Sequence, residues 1–275
     1  MLSVIINADD FGANEEVNCA IEECIKKGLI TSSTIMAGGK GFDEAVVIAK
    51  QHPEISFGVH LTLDEFYSLT EHPLLKEYGL IDDNGQFIKG AYRRISEYPE
   101  DLIDAISEEW IAQIRKVKAA GINVSHIDSH HHVHVCPKLK SVIARIMLAE
   151  NIGRIRLNTL RTFGMYIHHV KPKPRKRKVS TVPCKERTKK NAFQIISDIV
   201  SLYVWNLWIK CKYTCTAFFC DYTFFLDNAG YFRKMFDNKT IELMCHPGHP
   251  DYQEETLSLS LLPDDVKKIS YIDLR

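Results

Sequence analysis

The sequence predicts an α/β fold with mostly parallel strands, in a sheet either open or closed into a barrel. Three observations carry this. Short β-branched runs alternate with amphipathic helical patterns, and the connections between them are short. Side chains that bind metals or move protons gather just past the predicted strands, where parallel α/β folds place their active sites.

Leu2 to Ala8 reads as a strand buried on both faces. A helix should start after Asn14, a good N-cap, with Glu15 and Glu16 in its first turn, Lys26 and Lys27 in its last and Gly28 just beyond. A strand follows near Thr31–Met36, a helix near 42–51 and a strand at Ile55–Leu61. Residues 64–99 read as loop. Ile103, Ile106, Trp110, Ile114 and Val117 mark an amphipathic helix over about 100–119, ended by Gly121. Strands at Val124–Ile127 and Arg154–Asn158 flank a helix near 138–150. The second half is less regular. Residues 171–190 hold ten Lys or Arg against one acid, Glu186, which reads as a solvated insertion. An apolar helix over 191–209 carries Trp205 and Trp208, and a strand at Thr240–Cys245 leads into His246-Pro247-Gly248-His249-Pro250. Apolar density on both sides of the basic run favours one domain over 1–275 carrying an insertion.

Composition narrows the function classes. The chain has 275 residues, 35 Lys+Arg against 35 Asp+Glu and 45% apolar residues. A formal net charge of zero supplies no field to gather nucleic acid or anionic membrane. No apolar run approaches the ~18 residues of a spanning helix, and the first ten residues lack a basic leader. Eight cysteines without a Cys-x-x-Cys pair argue against a disulfide scaffold or a structural zinc site. Cys211, Cys215 and Cys220 read as small buried apolar residues. The expectation is a cytoplasmic protein with reduced thiols.

Four strand ends concentrate the chemistry: Asn7-Ala8-Asp9-Asp10, Gly58-Val59-His60-Leu61, His126-Ile127-Asp128-Ser129-His130-His131-His132-Val133-His134, and Met244-Cys245-His246. Five of the twelve histidines fall within 126–134. Buried at that density, imidazoles need a cation or carboxylates to organise them. On an extended chain His126, Asp128 and His130 share one side. Adjacent Asp9 and Asp10 would project oppositely, one toward a metal and one toward a substrate water.

As a set, Asn7-Ala8-Asp9-Asp10-Phe11-Gly12, Gly58-Val59-His60-Leu61, the run His126 to His134 and Glu242-Leu243-Met244-Cys245-His246-Pro247 resemble the YdjC-like carbohydrate deacetylases, which include the chitooligosaccharide (diacetylchitobiose) deacetylases. The resemblance runs from residue 2 to about 250. It implies a distorted (β/α) barrel related to the polysaccharide-deacetylase barrel, a homodimer, an acetylated-sugar substrate and one divalent metal, Mg²⁺. By position it implies Asp10, His60 and His130 as metal ligands, Asp9 as catalytic base and His246 as acid, with His249 open as the alternative acid. Asp128 would orient a metal-bound imidazole. Two imidazoles and a carboxylate suit Zn²⁺, Mn²⁺ or Co²⁺ at least as well as Mg²⁺. The implied activity is hydrolysis of N-acetyl groups in oligosaccharide degradation, with neither nucleic-acid nor membrane partners. A metal-dependent phosphoesterase and a non-catalytic, metal-stabilised binding protein stay open as alternatives.

Overall fold

The computed structural model describes residues 1–159 and 192–275; the basic stretch at 171–190 lies outside the described residues. The chain runs β1 (Ser3–Phe11), α1 (Glu15–Lys26), β2 (Ser32–Ile35), α2 (Phe42–Gln51), β3 (Ser56–Leu61), α3 (Pro73–Glu77), α4 (Glu100–Ala119), β4 (Ile127–Ser129) and α5 (Lys140–Ala149). It continues with α6 (Ala192–Lys212), β5 (Phe218–Asp221), α7 (Tyr222–Asp227), α8 (Ala229–Met235), β6 (Thr240–Cys245), α9 (Gln253–Ser258) and β7 (Lys267–Lys268). The α/β expectation holds. Strands lie in the order β4-β3-β2-β1-β6-β5, all parallel, with β7 pairing the start of β1.

The sheet curls until its edges approach each other. Ile155 bridges Ile127 of β4, and Arg154 bridges Thr214 just ahead of β5. The Thr159 hydroxyl donates to the Phe219 carbonyl at 2.6 Å. The strand expected at 154–158 is thus reduced to isolated bridges. Its neighbours are too short for a ladder, since β4 itself has three residues.

Local chemistry explains the helices. The Asn14 side chain accepts from Val17 N at 2.9 Å, and acids occupy the first turn of α1 and a lysine the last. α4 covers the residues its apolar spacing predicted and buries Ile103, Ile106, Trp110, Ile114 and Val117. From its buried face Glu109 accepts hydrogen bonds from the Ser68 hydroxyl and from Leu69 N and Thr70 N. That carboxylate gives the polar loop after β3 a fixed shape. The loop expectation for 64–99 misses α3 and a 3-10 turn at Ala91–Arg93. α6 matches the apolar helix and buries Trp205 and Ile209. Of the three cysteines read as buried, Cys220 is buried, Cys215 half-buried and Cys211 exposed, because Cys211 lies on the outer face of α6. Among the described residues no helix is long and apolar enough to cross a membrane.

β4 starts at Ile127, later than expected, and ends at Ser129. His131 and His132 take left-handed φ values of 51° and 56°, turning the chain out of the sheet into a 3-10 segment over His130–Val135. The expected alternation of His126, Asp128 and His130 along one strand face therefore stops at Asp128. At the opposite end of the sheet Tyr271 and Leu274 pack with Ile5.

Gly58 in β3 lies against β4 without room for a methyl group. A Cβ there would stand 2.6 Å from His126 Cε1 and 2.7 Å from the His126 carbonyl oxygen. Gly58→Ala is expected to lower stability by about 1–3 kcal/mol, read as a lower urea midpoint at unchanged m-value.

Candidate functional site

β1 ends in a bulge. Its pairing with β2 runs Asn7–Ser32, Ala8–Ser33 and then Phe11–Ile35, so one residue of β1 is extra. Asp10 lies in that interval with φ 67°, a distortion that re-aims a side chain. The neighbouring carboxylates consequently serve different partners. Asp9 meets Arg156, while Asp10 meets His60 from β3 and His130 from the turn after β4.

Both imidazoles converge on one oxygen. His60 Nε2 lies 3.2 Å and His130 Nδ1 2.9 Å from Asp10 Oδ1. Ligand atoms of Asp10, His60 and His130 all fall within 4.8 Å of one another. The far nitrogen of each ring is also held. His60 Nδ1 stands 2.7 Å from Asp128 Oδ1, and His130 Nε2 3.1 Å from Glu65 Oε2. A carboxylate behind the ring fixes the tautomer and turns the free lone pair toward a cation. The donor set and its backing therefore fit one divalent ion.

Arg156 fills the space beneath. Its guanidinium donates to both Asp9 oxygens at 2.7 Å, to Glu242 Oε1 at 2.8 Å, and lies 2.7 Å from Asp128 Oδ2. All four side chains are buried. Asp9, His60 and Asp128 also group closely enough for a metal, but there the guanidinium already supplies the positive charge.

The protonation states follow from these contacts. Burial alone would raise the Asp9 carboxyl, yet Arg156 overcomes it and holds Asp9 well below the usual carboxylate range. Burial opposes charge on His60, but Asp128 and the Asp10 and Asp9 carboxylates raise it to about 10. Glu242 goes the other way: burial, only partly offset by Arg156, lifts it to about 7. The His246 backbone N–H donates to Glu255 Oε1 at 3.0 Å, and its ring Nδ1 lies 3.6 Å from that oxygen, an ion-pair distance too long for a hydrogen bond. Burial disfavours charge there as well; Glu255, Asp9 and Asp10 outweigh it and raise His246 to about 9. His249 instead accepts from Asp251 N in its own turn.

The histidine block divides. His126 stacks on Tyr271 at 3.5 Å, and burial holds it neutral. His134 pairs with the Ser129 hydroxyl at 2.6 Å. Burial drives His132 down to about 3, with its ring edge-on to Phe219. Only His130 reaches Asp10. Sequence reasoning passed over Arg156, Glu242, Glu255 and Glu65. Glu242 had a signal, being a charge inside an otherwise apolar strand-like run; Arg156 had little, because Arg154 and Asn158 alternate with it. Glu255 had none, lying in a polar stretch, and Glu65 had none, being one of two adjacent acids in an expected loop.

The family model for YdjC-like proteins matches residues 3–269. A carbohydrate deacetylase of Brevibacillus brevis is 38% identical over 146 residues, covering 53% of this chain and 55% of its own. One from Geobacillus stearothermophilus is 35% identical over 158 residues, covering 58% and 60%. The chain thus matches little more than half the length of these curated relatives. A solved structure from Enterococcus faecalis, a candidate cellobiose-phosphate cleavage protein, has a TM-score of 0.68 at 20% identity, over 98% of this chain and 97% of that one. At that identity the likeness concerns the fold.

Replacing Arg156 by Met leaves three buried carboxylates without their counter-charge. The expected loss is about 3–5 kcal/mol at neutral pH, measured by urea unfolding. Because Asp9 is depressed in the folded chain, its share of stability is present above its ordinary 3.8 and fades as pH falls through the depressed value. The gap between wild type and variant should therefore narrow in strong acid.

Proposed function

The chain belongs to the YdjC-like family, and on that premise we propose that it is a metal-dependent hydrolase removing N-acetyl groups from acetylated mono- or oligosaccharides. One observation carries the reading: two backed imidazoles and Asp10 converge on one point, beside a second carboxylate, Asp9, that stays ionised. Relatives named carbohydrate deacetylase support the substrate class.

In this reading Asp10, His60 and His130 hold the ion. Their donor set suits Zn²⁺, Mn²⁺ or Co²⁺ at least as well as the Mg²⁺ implied by the family resemblance. A bound divalent ion supplies Lewis acidity, lowering the pKa of water and drawing charge off the acetyl carbonyl. Asp9 takes the water's proton. Its Oδ1 already accepts from Asn7 and Arg156, whereas Oδ2 accepts from Arg156 and keeps a lone pair free. Arg156 makes Asp9 a weak base but aims it and keeps it charged at every working pH. His246, protonated up to about 9, returns a proton to the departing sugar amine. Glu255 holds that imidazole in place and favours its charged form.

The direct assay is acetate release from a panel of N-acetylated sugars, with and without chelator and with an aryl phosphate as control. Release from the sugars that stops with chelator is expected; hydrolysis of the phosphate alone would overturn the reading. His130→Ala should lose bound metal and activity together, and a metal-free, fully active variant would reject the ligand assignment. Asp9→Asn should cut kcat by roughly 10²–10⁴ while metal content stays near wild type. A protonated acid is lost as pH rises through its pKa, so kcat/KM should fall on the alkaline side near 9. His246→Gln should be slow and lack that limb.

A further inference from the structure

A second set of ligands borders the first. The loop after β3 carries Asp64 and Glu65, and the turn after β4 carries His130 and His131. Glu65 Oε2 lies 3.1 Å from His130 Nε2 and 3.9 Å from His131 Nε2. Ligand atoms of all three residues fall within 4.8 Å of one another. Two ligands about 2.05 Å from a tetrahedral ion stand about 3.3 Å apart, and the two separations straddle that value. At 3.9 Å, His131 and Glu65 are too far apart for a hydrogen bond.

Two further features point to a ligand. Asp64 Oδ2 lies 2.9 Å from His131 Nδ1, and Asp64 Oδ1 accepts from Gly90 N. With a carboxylate behind it, the ring turns Nε2 toward Glu65, as Asp128 turns His60 toward Asp10. The backbone also works to present these side chains. Glu65 and His131 hold left-handed φ values of 77° and 51°, a strain that persists only where the surroundings enforce it.

We propose that Glu65, His130 and His131 form a second, weaker site for a Zn²⁺-class divalent ion. Two imidazoles and one carboxylate favour that class over Mg²⁺ or Ca²⁺. The site is weaker than the first because Lys89 is paired to Glu65 Oε1 at 2.5 Å and repels a cation. It is also more open, with Glu65 and His131 each about a third exposed. His130 belongs to both sets, through Nδ1 to Asp10 and Nε2 to Glu65. An ion at the second site draws His130 from the first and slows deacetylation; this last clause rests on the proposed function.

The test titrates metal-stripped protein with Zn²⁺ against a chromophoric chelator and follows acetate release alongside. Wild type should bind in a tight step and a weaker one, with hydrolysis falling as the weaker step fills. His131→Asn tolerates the left-handed backbone and should lose the weaker step and the inhibition while the tight step stays in place. His131→Ala serves as the second variant. His130→Ala should lose both steps. A single step in wild type, or a weaker step that survives both His131 variants, overturns the second site and leaves the first standing. A weaker step that fills without slowing hydrolysis overturns the competition for His130. Failure of every step overturns both metal readings.

Discussion

Arg156 ties β1, β4 and β6 together at the point where the chemistry is placed. It carries one positive charge and meets three buried carboxylates, Asp9, Asp128 and Glu242. Each buried ion costs several kcal/mol of hydration, so an excess of two negative charges could not persist there. Two neighbours reduce it. Glu242 keeps its proton to about 7, and Tyr271 donates to its other oxygen. With no ion bound, His60 is raised to about 10 and adds a positive charge against Asp128, a charge that a bound cation would replace. Asp128 is thereby pinned on both sides, with Oδ2 on Arg156 and Oδ1 on His60. That leaves the His60 ring a single orientation, with Nε2 toward Asp10. The same guanidinium that neutralises the interior thus aims a candidate ligand it never touches.

Five of the eight non-glycine residues with positive φ among the described residues follow the same geography. Asp10, Glu65, Phe66, His131 and His132 all hold positive φ without being glycine. Such residues cost of order 1–3 kcal/mol each, and these five line the carboxyl ends of β1, β3 and β4. The surrounding bonds compensate. Glu109 accepts from the backbone that follows Phe66, and Ser129 Oγ accepts from His134 N across the 130–135 turn. Neither supporting group carries chemistry. They allow loops to present side chains as rigidly as strands do.

Periodicity and capping made the first half of the fold legible. Asn14, the spacing of Ile103 to Val117 and the β-branched runs each state a preference that tertiary packing agrees with. The short strands were harder. At β4, at 154–158 and at β5 the chain makes only a few ladder bonds before turning, so no alternation long enough to read develops. The sequence offered the aspartate pair and the histidine block as candidates. The family resemblance named His130 as the partner of Asp10, and the two do meet; local pattern alone could not single it out of the block, because that depends on the turn at His131 and His132. An extended reading grouped His126 with His130, whereas His126 lies against Tyr271 from the far end of the chain. Arg156 went unread for a related reason: its three partners lie at positions 9, 128 and 242, and no local window contains them.

The two candidate imidazole ligands differ in how firmly they are backed. Asp128 behind His60 is fully buried and shared with Arg156, so moving His60 would disturb the whole charged interior. Glu65 behind His130 is half-buried, sits on a loop and is shared with exposed Lys89. Hydrogen bonds from His130 and Lys89 draw its carboxyl down to about 2, so it stays charged and keeps competing for the ring. His60 and Asp10 therefore form a fixed half of the site, and His130 an adjustable half. If the three residues hold an ion as proposed, His130 is the ligand whose backing gives first.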